Sequence, residues 1–315
     1  MRRLGLFAAL LALLAAPANA FFWRRDKGPD DAEMAARYAA PLPAPDGALS
    51  VYHLGHSLVN RDMPAMLAQL AGDGHRYDSQ LGWGATLKAH WGDDQIGGFD
   101  TENAHDRFRP AKEAVDSGDY DALVMTEMVE IRSAIEYHDS PDYLALWSEA
   151  ALAARPGTRI YLYETWHQLD DEEGWLNRLD ADLSRYWDKE VLRPALADLP
   201  EDARIHVIPA GQAMAAFVRE VEARGGVGNV KDRTDLFQRN DDGSLDQIHL
   251  NDLGNYFVAL VHYAVLYHRS PEGLPFELTR ADGSPATAPE PETAILMQRI
   301  AWEAARSAPL TGVEP

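Results

Sequence analysis

The sequence predicts an α/β protein, a three-layer α/β/α sandwich around a mostly parallel sheet of five strands. Short apolar runs alternate with helix-like runs from residue 49 onward. Strands separated by helices of about ten or more residues join as parallel strands through right-handed crossovers. The chain is 46% hydrophobic and 25% charged, as globular proteins are, and its 315 residues can bury one large core.

Five runs have the character of buried strands, and the second of them is the weakest: 49–54, 75–81, 122–126, 159–163 and 204–208. Helical runs lie between and after them: 63–70, 111–117, 143–153, 175–192, 212–223, 250–267 and 292–305. Ligand sites of such sheets lie beyond the carboxyl ends of the strands. The chemistry is therefore expected just after Leu54, Thr126, Tyr163 and Ile208.

Residues 1–20 are predicted to be a cleavable signal peptide. Arg2 and Arg3 precede an apolar run over 4–16, and Ala18-Asn19-Ala20 is a small-x-small cleavage site. The run is too short for a comfortable membrane span. We expect a periplasmic or secreted protein with no stable membrane insertion after cleavage.

Residues 21–47 are predicted to be a leader or linker that precedes one domain over 48–310. Pro41, Pro43 and Pro45 favour an extended tether that stays outside the core. No internal repeat interrupts the domain.

Charge and composition exclude several function classes. The formal net charge of −21 opposes binding to nucleic acid or anionic lipid, because both carry negative charge. The chain has no cysteine, which excludes disulfides, thiolate nucleophiles and iron–sulfur clusters. A glycine-rich phosphate-binding fingerprint is absent after the first strand, so no organic cofactor is expected.

Two short segments combine the residues of a nucleophilic hydrolase. Ser57 follows the first strand and Gly55, where a serine is exposed at the sheet edge; the alternative is a serine that caps a helix. Asp246 and His249 lie three apart in a predicted loop that opens a helix, so the carboxylate can orient the imidazole. A metal site of Asp246, His249 and Asp252 is a more distant alternative. The chain order Ser, Asp, His favours a catalytic triad.

These segments resemble the SGNH (GDSL-like) hydrolase superfamily, in particular an exported bacterial subgroup. Gly55-His56-Ser57-Leu58 resembles the first block of that family, with His56 in place of aspartate, and the segment from Asp246 to His249 matches its Asp-x-x-His block. The stretch from Gly82 to Leu87 resembles the glycine-bearing oxyanion block. Shorter runs ending at His90, Trp166 and Gly211 add to the likeness, which extends over residues 49–267.

The resemblance implies a flavodoxin-like sandwich and assigns roles to several residues. Ser57 would attack an ester carbonyl, His249 would take its proton, and Asp246 would orient His249. The backbone N–H groups of Ser57 and Gly84 would bind the oxyanion.

The third block departs from the family, which has an asparagine donor after the third strand. Thr126 and Glu127 stand there, and both are kept as candidate third donors, although only a protonated Glu127 can donate. His56, His90 and Trp166 are candidates for binding substrate. Packing inside the protein is the alternative for His90 and Trp166.

We expect an exported serine esterase that hydrolyses small acyl esters, with O-acetyl groups on carbohydrate favoured by the resemblance. A lipase or lysophospholipase, or an acyltransferase with the same triad, is the alternative enzyme. A non-catalytic glycan-binding or envelope-assembly protein on a degenerate hydrolase fold is the alternative from another class. Neither a metal nor a cofactor is expected, and the partner is a small acyl ester or an acylated glycan.

Overall fold

The computed structural model describes residues 28–92 and 95–315. Its strands are β1 Ser50–Leu54, β2 Arg76–Gln80, β3 Ala122–Met125, β4 Arg159–Glu164, β5 Ile205–Pro209, β6 Phe237–Arg239 and β7 Leu245–Leu250. Its α-helices are α1 Asp31–Arg37, α2 Asp62–Ala71, α3 Leu87–Trp91, α4 Phe99–Glu102, α5 Ala111–Ser117, α6 Ile131–His138, α7 Ser140–Ala154, α8 Trp175–Asp182, α9 Arg193–Ala197, α10 Ala210–Arg224, α11 Asp252–Tyr267 and α12 Pro291–Ser307. A π-helical segment, Leu183–Leu192, joins α8 to α9, and a 3₁₀ turn, Arg233–Leu236, precedes β6.

The main sheet confirms the predicted fold class. Its five strands are all parallel, in the order β2-β1-β3-β4-β5. Leu54 at the end of β1 pairs with Gln80 of β2 and with Met125 of β3. The chain segments that follow these three strands therefore leave the sheet side by side.

Alternate residues of the strands enter two hydrophobic cores, one on each face of the sheet. In β1, Val51 belongs to one core and Tyr52 to the other, as the two-residue period of a strand requires. Helices α2, α10, α11 and α12 contribute to the Val51 core. Helices α3, α5, α7 and α9 contribute to the Tyr52 core. Burial on both faces explains why these strands are apolar runs rather than alternating ones.

The leader was expected to be extended and outside the core, and this is wrong for its described part. Helix α1 begins after Asp30, whose carboxylate forms a capping box with Glu33. Met34 of this helix is buried in the Tyr52 core. The Tyr38 hydroxyl donates to the carbonyl of Ile205, 2.6 Å away at the start of β5. The predicted signal peptide lies outside the described residues.

Two further elements differ from the sequence-based expectation. The run over 175–192 begins as α8 but continues as the π-helical segment Leu183–Leu192. The segment that carries Asp246 and His249 is strand β7, which pairs with β6 in a small antiparallel sheet. A loop was expected there. Its partner strand β6 is only three residues long, so the sequence gives little sign that a second sheet forms. Among the described residues, no helix is both long and apolar enough to span a bilayer.

Candidate active site

The loop after β1 carries Ser57 and is held from several sides. Gly55 donates its N–H to Gln80 O at 3.2 Å, which extends the β1–β2 pairing. A Cβ at Gly55 would lie 2.5 Å from Thr126 Cγ2, so only glycine allows this close approach. The Asn60 carboxamide oxygen accepts from the first backbone N–H groups of α2. The first N–H groups of α2 are thus satisfied by Asn60, the residue before the N-cap Arg61, and not by Ser57, whose hydroxyl is left for another partner.

A bulge in strand β7 brings Asp246 and His249 together. Leu245 and Leu250 of β7 pair with Arg239 and Phe237 of β6. Between these two residue pairs β6 has one residue, whereas β7 has four. The extra residues of β7 therefore bulge out of the small sheet. Within this bulge Asp246 Oδ1 accepts from the N–H groups of Ile248 and His249, at 2.8 and 2.9 Å. The turn is what allows side chains three residues apart to meet.

The three side chains form a continuous chain of hydrogen bonds. His249 Nδ1 lies 2.9 Å from Asp246 Oδ2, and His249 Nε2 lies 2.9 Å from Ser57 Oγ. The carboxylate can only accept, so Nδ1 carries the ring proton and Nε2 accepts the serine hydroxyl. The His249 side chain is 38% exposed and that of Asp246 is 19% exposed. The arrangement is open to solvent on the imidazole side.

The charge of Asp246 is fixed by its surroundings. Partial burial raises the pKa of this carboxyl, but hydrogen bonds from the His249 and Ile248 N–H groups and from the His249 ring outweigh that effect. The pKa of Asp246 therefore lies below its ordinary value. An ionised Asp246 stabilises the imidazolium that forms when His249 takes a proton.

The loop after β4 holds the β7 bulge through two hydrogen bonds. Trp166 Nε1 donates to Ile248 O at 2.8 Å, and Leu169 N donates to Gln247 O at 2.8 Å. Trp166 was predicted to bind substrate, but its side chain is buried, with 1% exposed, and does not reach the surface. It positions the segment between Asp246 and His249 instead.

The two other predicted substrate contacts, His56 and His90, are also buried inside the protein. His56 Nε2 donates to Glu127 O at 2.8 Å, and His90 Nε2 donates to Gly55 O at 2.8 Å. Their Nδ1 atoms accept from Leu58 N and from the Gln80 amide. Burial lowers the pKa of both imidazoles to about 4, so both rings are neutral. They tie the Ser57 loop to its neighbours.

Gly84 is the predicted partner of Ser57 in binding an oxyanion. It is exposed in the turn after β2 and has a φ of +55°, in the left-handed region that favours glycine. Within the described residues, neither the N–H of Ser57 nor that of Gly84 donates to a protein acceptor. Both remain available to a ligand.

The third oxyanion donor expected at Thr126 or Glu127 is not provided by either side chain. The Thr126 hydroxyl donates to Tyr163 O at 2.8 Å. The Glu127 carboxylate accepts from Met128 N and from Ser140 Oγ, both at 2.8 Å. Both residues are 0% exposed. Burial raises the pKa of Glu127 to about 7, yet its carboxyl is directed into the protein and not toward solvent.

The polar residues that end β4 are packed as well. The Tyr163 hydroxyl donates to Leu58 O at 3.2 Å. Glu164 accepts from Gly211 N at 2.8 Å, at the start of α10, and burial raises the pKa of this carboxyl to about 8. A Cβ on Gly211 would lie 2.4 Å from a Glu164 oxygen. Close packing against Glu164 thus explains why a glycine stands at position 211, the last residue of one of the short runs that resemble the family.

The candidate metal ligands are already ion-paired. Asp252, the third member of the alternative metal site, binds the Arg280 guanidinium through both oxygens, at 2.8 and 2.7 Å. Among the described residues, a second group of possible ligands contains Glu130, His167 and Asp171. The buried Arg178 guanidinium pairs with both of its carboxylates. Both carboxylates of this group are thus already paired with a protein cation. The sequence reasoning missed this group.

Comparison with known proteins finds distant likeness. No family model and no curated protein matches the chain. Among solved structures, a GDSL-like lipase from Parabacteroides merdae is 14% identical with a TM-score of 0.40, over 69% of this chain and 95% of that one. A gut microbial diltiazem-metabolizing enzyme is 12% identical with a TM-score of 0.38, over 70% of this chain and 47% of its own. An acetyl xylan esterase is 12% identical with a TM-score of 0.36, over 67% and 96% of the two chains. At these scores the likeness carries no argument about activity.

Proposed function

We propose that this protein is a serine hydrolase that cleaves carboxylic esters, of the SGNH type that its motifs resemble. One observation carries the proposal. Ser57 Oγ, both ring nitrogens of His249 and a carboxylate oxygen of Asp246 are linked by two hydrogen bonds of 2.9 Å. This is the geometry of a nucleophile, a general base and its orienting acid.

The reaction proceeds through an acyl-enzyme. Ser57 Oγ attacks the ester carbonyl carbon while His249 Nε2 takes the hydroxyl proton. The tetrahedral intermediate collapses, the C–O bond to the alcohol breaks, and His249 returns the proton to the leaving oxygen. A water molecule then attacks the acyl group with the same proton transfers and releases the acid.

The backbone stabilises the charge that develops on the carbonyl oxygen. The free N–H groups of Ser57 and Gly84 are the proposed donors. The segments that carry them follow β1 and β2, which are adjacent parallel strands and end at the same edge of the sheet. Donors of this kind act mainly in the transition state, where the oxygen is negative. With Thr126 and Glu127 directed inward, the proposed oxyanion site has two donors from the protein backbone.

The proposed acyl group is small, with acetyl as the first case. Tyr163 and Trp166, the large side chains around the triad, are buried and hydrogen-bonded to Leu58 O and Ile248 O. They close the protein beneath the triad, which suits a short acyl chain. We further propose that the alcohol is a carbohydrate hydroxyl and that the protein acts after export, as its N-terminal sequence suggests.

The test is turnover of 4-nitrophenyl acetate by the chain without residues 1–20, compared with Ser57→Ala. We expect the substitution to lower kcat/KM by at least about 10³-fold. Ser117→Ala is the matched control, because the Ser117 hydroxyl bonds only backbone groups of Ala114 and Asp119 around the end of α5. A fluorophosphonate should add one covalent adduct to the wild-type chain and none to Ser57→Ala. Equal turnover by both chains, with no adduct, would overturn the proposal in favour of a binding protein.

A further inference from the structure

A large cavity adjoins the turn that carries Gly84. Its volume is about 930 Å³, within the range of small-molecule sites, roughly 300–1,000 Å³. Its wall contains Trp83, Trp91, the backbone of Gly97 and Gly98, and the exposed side chains of Asp100 and Lys112. The triad residues do not line it.

The cavity is nevertheless next to the Ser57 loop. Leu54 and Gln80 pair across β1 and β2, and Ser57 and Trp83 each lie three residues beyond that pair. His90 links the two regions directly, since it lines the cavity and donates to Gly55 O at 2.8 Å. The cavity and the Ser57 loop are therefore neighbours at the same edge of the sheet.

Trp83 is an exposed but fixed aromatic ring. It is 59% exposed, whereas most tryptophans of the described chain are buried. Its backbone N–H donates to Gly97 O at 2.7 Å, and its Nε1 donates to Glu102 at 2.8 Å. A Cβ on Gly98 would lie 2.3 Å from the indole, so the ring rests on the bare backbone there. The ring is thus supported by the Gly98 backbone and still has more than half of its surface exposed beside the cavity.

The second tryptophan of the cavity is already occupied. The Trp91 ring packs edge-to-face against Trp147, with centroids 4.8 Å apart. The Lys112 ammonium lies 4.2 Å from the centroid of the Trp91 ring. Phe99, a third aromatic residue of the wall, is half-buried and packs edge-to-face against Phe108, with centroids 5.7 Å apart. Trp83 is the most exposed aromatic ring of this cavity.

We propose that Trp83 binds a sugar ring of the substrate by stacking, and that the ester cleaved at Ser57 is carried by this sugar or its neighbour. A pyranose presents an apolar C–H face that matches an indole, and hydroxyl groups around its edge. Asp100 and Lys112 on the cavity wall supply an acceptor and a donor for such hydroxyls. This inference rests on the proposed function for the position of the ester.

The kinetic test compares glucose pentaacetate with 4-nitrophenyl acetate, which carries no sugar. For Trp83→Ala we expect KM for glucose pentaacetate to rise about tenfold more than KM for 4-nitrophenyl acetate. Trp83→Phe should recover most of that difference, because it keeps a ring. Ile295→Ala, which removes an equally exposed apolar side chain on α12, should leave both substrates unaffected. An equal change in both substrates, or none, overturns the inference.

A binding measurement separates this inference from the proposed function. Ser57→Ala is titrated with cellohexaose by calorimetry, and the titration is repeated with Trp83→Ala added. Binding that depends on Trp83, without any turnover by the wild-type protein, supports the sugar site at Trp83 and refutes the proposed esterase activity. Turnover without Trp83-dependent selectivity or binding supports the esterase and refutes the sugar site at Trp83.

Discussion

Asp246→Asn separates the two tasks of this carboxylate. In the native protein Oδ1 accepts from two backbone N–H groups of the bulge, and Oδ2 accepts from His249 Nδ1. Asparagine keeps a carbonyl oxygen for the two backbone bonds. It places an NH₂ group against Nδ1, so the ring proton must move to Nε2, which then donates toward Ser57 instead of accepting.

The expected effect is large on catalysis and small on stability. A base in the wrong tautomer costs about 10³–10⁴ in kcat, which corresponds to about 4–5.5 kcal/mol of transition-state stabilisation. The retained turn limits the loss of unfolding free energy to about 1 kcal/mol or less. Asp246→Ala is the comparison, because it also leaves two backbone N–H groups without their acceptor, at about 1–3 kcal/mol.

The assay combines kcat/KM for 4-nitrophenyl acetate with urea unfolding of the three chains. Asp246→Asn should unfold near the wild-type midpoint and turn over slowly, while Asp246→Ala should lose both properties. A folded Asp246→Asn chain within tenfold of wild-type turnover would refute the assignment of Asp246 as the residue that orients His249.

Three further predictions concern how the site is held. Gly55→Ala places a Cβ 2.5 Å from Thr126 Cγ2, so we expect urea unfolding to show a loss of about 1–3 kcal/mol; an unchanged midpoint contradicts the close packing. Trp166→Phe removes the hydrogen bond to Ile248 O, so kcat/KM should fall about tenfold; a loss of stability with unchanged kinetics would limit Trp166 to packing. Acid should destabilise the protein between pH 6.5 and 4.5. Burial lowers the pKa of six histidines to about 4, so in this range only the unfolded chain protonates them: His56, His75, His90, His206, His262 and His268. The two buried glutamates whose pKa is raised to about 7 and 8, Glu127 and Glu164, hold protons in the folded state and oppose this trend. These histidines outnumber the two glutamates, so the free energy of unfolding should fall as the pH falls, and Glu164→Gln should steepen that dependence. Urea unfolding at pH 5, 6 and 7 that shows no slope contradicts the burial of these neutral rings.

The fold was predictable because it depends on a local pattern. Strands buried on both faces are short apolar runs, and the helices between them repeat at 3.6 residues, so their alternation alone specifies a parallel sheet. The end of each strand then locates the chemistry without any knowledge of side-chain contacts. This is why Ser57 could be chosen as a candidate before any geometry was known, whereas Asp246 and His249 were chosen by their spacing of three residues.

Other features depend on pairing between distant residues, which the pattern does not contain. The bulge that joins Asp246 to His249 requires strand β6, whose three residues give too little signal. Helix α1 had a local signal in Asp30 and Glu33, but three prolines nearby favoured an extended chain. The burial of Met34 and the hydrogen bond of Tyr38 depend on contacts with β5 and the core beside it, which are distant in the sequence.

Histidine is the residue type whose role was least predictable. A single sequence shows where imidazoles stand, and near a nucleophile they suggest contact with substrate. His56 and His90 instead each use one nitrogen as donor and the other as acceptor, inside the protein. A neutral ring is well suited to this, since it satisfies two backbone or amide groups at once in a dry site.

The two departures from the family pattern are in direct contact, which gives them a common explanation. The resemblance implies an aspartate at position 56 and an asparagine after the third strand, where this chain has His56 and Thr126-Glu127. His56 Nε2 donates to the carbonyl of Glu127 at 2.8 Å, a bond that an ionised aspartate cannot make because it has no proton to donate. The histidine thus fastens the loop after β3 to the Ser57 loop, while Thr126 and Glu127 face inward and fasten it to β4 and α7. Buried hydrogen bonds thus hold the Ser57 loop in place, and the backbone N–H groups of Ser57 and Gly84 are the proposed donors to the oxyanion.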